Sequence, residues 1–151
     1  MYNRREDSVR ILIIDDDPGH RLLIKKNLRR SGISNEIIQL SDGEQALDFI
    51  FCRNEYSGRD TRGPLFVMLD LNMPVLDGYQ VLKQMKADSR ARHIPVVILT
   101  TTEDSREIEK CYELGCNIYI TKPIDYTEFA EAMRKVGLFL SVVRVPEELA
   151  L

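Results

Sequence analysis

The sequence is short of the residues that mark several common chemistries. Its three cysteines, Cys52, Cys111 and Cys116, are odd in number and lack metal-ligand spacing. They read as free thiols of a reducing compartment, not as a disulfide framework or a zinc site. Its two histidines, His20 and His93, have no cysteine or second histidine nearby, so each reads as a surface or cap residue. No apolar run approaches the roughly 20 residues that span a bilayer, and the opening MYNRREDSVR lacks the apolar core of a signal peptide. Positive charge is not in excess: 21 Lys and Arg face 24 Asp and Glu, for a net charge of -3. That balance leaves no electrostatic footprint for nucleic acid. The expectation is a cytoplasmic protein that binds neither nucleic acid nor membrane.

What is present is a regular alternation. The chain has 151 residues, 44% hydrophobic and 30% charged, which suits one globular domain. Short apolar runs at Val9–Ile14, Glu36–Leu40, Leu65–Leu69, Ile94–Leu99 and Asn117–Ile120 read as strands. Amphipathic stretches at 18–31, 43–53, 77–88, 104–114 and 125–143 read as helices. Strands that alternate with helices imply βαβ units and a parallel sheet. The unbroken runs LFVML and IPVVIL suit central strands covered on both faces. Ser41 with Glu44, Asp77 with Gln80, Asp104 with Glu107 and Asp125 with Glu128 have capping-box spacing. Asp17 before Pro18 fits an N-cap followed by proline at the first helical position. SG at 31–32 and LG at 114–115 supply helix stops, and RNEYSGRDTRGP (53–64) reads as a long surface loop.

The stretch ILIIDDDP (11–18) ends a buried strand in three carboxylates. Two unit charges about 4 Å apart repel by about 4 kcal/mol at an effective dielectric near 20. Asp17, as N-cap, leaves Asp15 and Asp16 at the carboxyl end of the first strand, and Asp70 ends another strand in VMLDLNMPVLDG. In an open α/β sheet, ligands bind outside the carboxyl ends of the strands, where strand order reverses. For a doubly wound five-stranded parallel sheet of order 2-1-3-4-5 that point lies between the first and third strands, and the three acids converge there. A magnesium ion, which takes hard oxygen ligands, resolves their repulsion. Thr100 ends the fourth strand and Lys122 follows the fifth, which adds a hydroxyl and an ammonium to the same rim. Singly, each is ordinary: a strand-end Asp also serves as an N-cap, Thr is common in strands, and most lysines are solvated. Together they describe a phosphoryl site, where positioning and charge stabilisation do most of the chemistry and a carboxylate can be the nucleophile.

With ILIIDDDP, VMLDLNMPVLDG, VVILTT and NIYITKP in order, the chain over about residues 9–136 resembles the receiver domains of two-component response regulators. The resemblance implies a flavodoxin-like fold and a set of roles. Asp70 would be the phosphoacceptor for a histidine kinase or phosphotransfer protein. Asp15, Asp16, Asp70 and the backbone carbonyl of Asn72 would hold Mg2+. Thr100 would be the switch hydroxyl, Lys122 would contact the phosphoryl oxygens, and Tyr119 would be the aromatic switch. Pro123 would follow a cis peptide bond. The protein would be a signalling phosphoacceptor, not a turnover enzyme. Phosphorylation would repack the face formed by the fourth helix, the fifth strand and the fifth helix. The basic run Lys25, Lys26, Arg29 and Arg30 lies on the first helix, near which partner kinases dock in receivers; a solvated face is the plainer reading.

Residues 1–8 read as an N-terminal tail, 9–136 as the receiver domain, and 137–151 as a helix extension and tail with no effector domain. Phe129, Met133, Val136, Leu140 and Val143 suit the core, while Leu138, Val142 and Val145 form a second apolar face that suits a homodimer. LTTTED, CYELGCNIYITKP, the 53–64 loop and the tail FLSVVRVPEEL resemble the stand-alone regulators of bacterial phytochrome kinases. Two other readings compete. One is a pseudo-receiver, an interaction module without phosphorylation, although such domains usually lose an acid that is kept here. The other is a phosphatase of the haloacid-dehalogenase type built on Asp15-x-Asp17. That motif wants Thr or Val where Gly19 stands and leaves Asp70 without a role.

Overall fold

The computed structural model describes residues 9–122 and 126–142. Five strands, β1 (Arg10–Ile14), β2 (Ile37–Leu40), β3 (Leu65–Leu69), β4 (Val96–Thr100) and β5 (Ile118–Thr121), alternate with five helices. The helices are α1 (Pro18–Arg30), α2 (Gly43–Ile50), α3 (Gly78–Ala87), α4 (Ser105–Leu114) and α5 (Tyr126–Val142). The strands form one sheet in the order β2-β1-β3-β4-β5, and every pairing is parallel. The parallel sheet is what the alternation of elements implies, and its order is that of the doubly wound receiver-like fold expected from the resemblance.

The two-residue period of a strand divides the core into two layers. Ile11, Ile13, Phe66, Met68, Val97 and Leu99 face α1 and α5, where they meet Ile24, Leu28, Phe129, Met133 and Val136. Leu12, Ile14, Val67, Leu69 and Ile98 face the other way, onto Ala46, Leu47, Val81, Leu82, Met85 and Cys111 of α2, α3 and α4. Every residue of β3 and β4 is buried, while β5, at the sheet edge, is only half-buried.

Local chemistry sets most of the helix ends. Asp17 caps α1, accepting from the amides of Gly19 and His20, with proline in the first turn. Asp77 and Gln80 close a reciprocal capping box on α3. Gly115 ends α4 in the left-handed region at φ 106°. The start of α2 differs by one residue from the expected Ser41–Glu44 pair. Asp42 is the cap, accepting from the Gln45 amide, and Gln45 Oε1 accepts from the Ser41 amide at 2.9 Å. The same helix stops at Ile50 and not at 53, because Cys52 and Asn54 both take positive φ. A 3-10 turn at Asn54–Tyr56 follows. The 53–64 segment is anchored: Arg59 lies over the Phe49 ring at 4.2 Å and Tyr56 meets that ring edge-on. Asp125, the cap of the expected Asp125–Glu128 box, and Pro123 lie outside the described residues. No described helix is long and apolar enough to cross a membrane.

Candidate functional site

Strand register builds the site. Ile14 of β1 pairs with Leu69 of β3, so Asp15 and Asp70 leave adjacent strands at the same level. The Asp70 amide donates to the Ile14 carbonyl at 2.9 Å. Thr100 pairs with Thr121, which delivers Lys122 one step beyond the end of β4. Asp15, Asp70, Thr100 and Lys122 are all buried, and Asp16 is exposed at the rim. A carboxylate oxygen from each of Asp15, Asp16 and Asp70 can be chosen so that all three lie within 4.8 Å of one another.

Lys122 is the positive centre of this cluster. Its Nζ donates to Asp15 Oδ2 at 2.7 Å and to Asp70 Oδ2 at 3.3 Å. The other oxygens of the two buried acids are held by backbone amides. Asp17 N–H donates to Asp15 Oδ1 at 2.9 Å, and Asn72 N–H donates to Asp70 Oδ1 at 3.2 Å. Three carboxylates against one ammonium leave a formal charge of -2. An all-oxygen donor set with that residual charge fits a small dication.

The rest of the rim is polar. Asn72 Nδ2 lies 3.2 Å from Thr100 Oγ1, 3.3 Å from Thr101 Oγ1 and 3.4 Å from Thr102 Oγ1. The Tyr119 hydroxyl donates to the Thr102 carbonyl at 2.8 Å, and the Tyr119 amide donates to the Tyr112 hydroxyl at 3.0 Å. Burial pushes the Tyr119 phenol up to about 12, so it stays a donor across physiological pH. Tyr119 also packs against the core layer under α2, α3 and α4, as a plain strand tyrosine does. Asp17 points to its own helix, and the His20 and Gly19 amides hold its carboxyl below the usual range. That leaves the phosphatase reading without its second acid.

Five residues read from the sequence as one cluster, Asp15, Asp16, Asp70, Thr100 and Lys122, do share one cleft. His20 corrects the sequence reading. It is more than a surface residue, because its Nδ1 lies 3.0 Å from Lys122 Nζ. It stands in the first turn of α1, three residues after Asp17, a position that carries no distinctive signal in the sequence. Of the expected dimer face, Leu138 is 53% exposed on α5. The Val142 side chain and Val145 lie outside the described residues.

Comparison with known proteins agrees with this geometry. The family model "Response regulator receiver domain" matches residues 11–134, and the chain belongs to that family. Among curated proteins, the probable methanogenesis regulatory protein FilR2 of Methanothrix harundinacea is 35% identical over 87% of this chain and 83% of its own length. Response regulator Rcp1 of Synechocystis is 33% identical over 90% and 92%. Among solved structures, a response regulator receiver domain from Rhodospirillum rubrum is 51% identical, with TM-score 0.84 over 93% of this chain and 99% of that one. The Mn(2+)-bound form of Rcp1 gives TM-score 0.82 at 31% identity, over 91% and 98%. The phosphorylated cyanobacterial phytochrome response regulator RcpA gives 0.84 at 30%, over 91% and 98%.

Proposed function

We propose that the chain is a response regulator that accepts a phosphoryl group on Asp70 from a histidine kinase or phosphotransfer protein. The observation that carries this reading is the buried Asp70 carboxylate, held by Lys122 beside Asp15 at the carboxyl edge of the sheet. In the transfer, an Asp70 carboxylate oxygen attacks the phosphorus of a phosphohistidine. A P–O bond forms, the P–N bond breaks, and the leaving imidazole takes up a proton. Asp15, Asp16, Asp70 and the Asn72 carbonyl would hold Mg2+, which when bound neutralises charge on the phosphoryl oxygens. Lys122 stabilises the same oxygens from the other side. The protein takes one phosphoryl group per chain and does not turn over external phosphoesters.

The acyl phosphate adds charge and acceptor oxygens at Asp70. Thr100 then turns its hydroxyl from Asn72 toward the phosphoryl group, and Tyr119 follows into the space that opens. The face of α4, β5 and α5 shifts population between two packings. Dimerisation through Leu138, Val142 and Val145 is the output we favour. The likeness to Rcp1 and RcpA supports a phytochrome kinase as the donor, to be tested by light-dependent transfer from such a kinase. The cytoplasm is where such a partner would meet it.

The test of the chemistry is intact mass after incubation with acetyl phosphate and Mg2+. Wild type is expected to gain one phosphoryl adduct that is lost with EDTA and absent from Asp70→Asn. No adduct on wild type would bring the pseudo-receiver reading forward.

A further inference from the structure

We propose that His20 is a positioning residue for Lys122, one of three fixed points that aim its ammonium at the group on Asp70. This rests on the reading of Asp70 as phosphoacceptor. A lysine ammonium has three N–H donors and no acceptor. Three atoms surround Lys122 Nζ within hydrogen-bond reach: Asp15 Oδ2 at 2.7 Å, His20 Nδ1 at 3.0 Å and Asp70 Oδ2 at 3.3 Å. An ammonium can only donate, so the contact requires the tautomer in which Nδ1 supplies the lone pair and the ring proton sits on Nε2. Nε2 faces Asp17 Oδ2 at 3.6 Å.

The leg to Asp70 is the longest of the three and the one that must change. A phosphoryl group on Asp70 draws that N–H to a phosphoryl oxygen, and the Asp15 and His20 legs remain. Both are anchored by the start of α1. Asp15 Oδ1 accepts from the Asp17 amide, and the His20 amide donates to Asp17 Oδ1 at 3.3 Å. Without the imidazole, the third N–H turns to water, and the short Asp15 leg alone decides where Nζ sits. His20 is half-exposed at the cleft mouth while Lys122 is buried, so the ring also shields the ammonium from solvent. A neutral ring does this without charge. A carboxylate at this position would add a fourth negative group to a site that already carries three.

The test compares His20→Leu with His20→Asn, whose Oδ1 hangs from Cγ as Nδ1 does. With acetyl phosphate and Mg2+, His20→Leu is expected to slow phosphorylation of Asp70 by roughly tenfold, about the worth of one hydrogen bond to a charged group. His20→Asn is expected to recover most of that rate. In a Lys122→Ala background, His20→Leu should add nothing, because it acts through the lysine. Equal rates for the Leu and Asn variants, or a full effect without Lys122, overturn the proposal. Nitrogen NMR of the wild-type imidazole decides the contact independently of phosphorylation. A lone pair on Nδ1 of the neutral ring supports it, and a proton there overturns it. If wild type takes no phosphoryl group, the reading of Asp70 fails while the NMR result still decides the His20–Lys122 pair.

Discussion

Val75 carries the plainest residue-scale strain. It has φ 67° in the loop between β3 and α3 and is 93% exposed. A β-branched side chain in that region costs about 1–2 kcal/mol, and Val75 has little burial to offset it. Val75→Gly is therefore expected to raise stability in urea by up to about 1 kcal/mol, since glycine's own entropy cost of about 0.5–1 kcal/mol takes back part of the relief. A fall in stability would mean the valine side chain has a contact worth more than its strain. Gly78, a few residues on, is fixed by approach and not by φ: a Cβ there would overlap the Asp70 carbonyl. At this scale the acids, Thr100 and Lys122 were legible because each stands at a strand end. His20 was not, because its role depends on how α1 turns back over the cleft, and one ring among polar neighbours leaves no periodic trace.

Among the elements, α3 shows how directly local chemistry sets the site's frame. Asp77 Oδ1 accepts from the Gln80 amide at 2.9 Å, and Gln80 Oε1 accepts from the Asp77 amide at 3.2 Å. The loop that leaves Asp70 runs straight into this box, and the Gly78 amide donates to the Leu71 carbonyl at 3.0 Å. Asp77→Ala is expected to cost about 1 kcal/mol in chemical denaturation, with Gln80→Ala costing less. An unchanged midpoint for Asp77→Ala would show that tertiary packing of Val81, Leu82 and Met85 sets the helix start without the cap. The capping-box pattern located this helix to within a residue. The same pattern misplaced the cap of α2, where Ser41, Asp42, Glu44 and Gln45 offer two registers one residue apart. Gly43, the first residue of α2, sits so close to the Leu76 carbonyl that a Cβ would not fit.

For the whole molecule, sheet order gathers residues from four strands into one cleft; alternation and buried-strand patterning gave the parallel sheet, while the order 2-1-3-4-5 came with the resemblance to receiver domains. Surfaces that face a partner are less legible, because an apolar residue on the outside of a helix looks the same whether it meets a second chain or water. Leu138 is the described residue that bears on dimerisation. It is expected that wild type sediments as a dimer at micromolar concentration and that Leu138→Asp shifts it to monomer, because a charge at an apolar seam is buried unpaired. A variant that sediments as wild type does would remove Leu138 from the interface.

Asp70 itself, and no other acid of the cluster, is expected to carry the phosphoryl group. Borohydride reduces an acyl phosphate to the alcohol, so it converts a phosphorylated aspartate to homoserine and leaves free carboxylates alone. The most direct measurement is peptide sequencing by mass spectrometry after phosphorylation and reduction. Homoserine is expected at position 70, with intact aspartate at 15, 16 and 17. Homoserine at any of those three positions, with Asp70 unchanged, would contradict it.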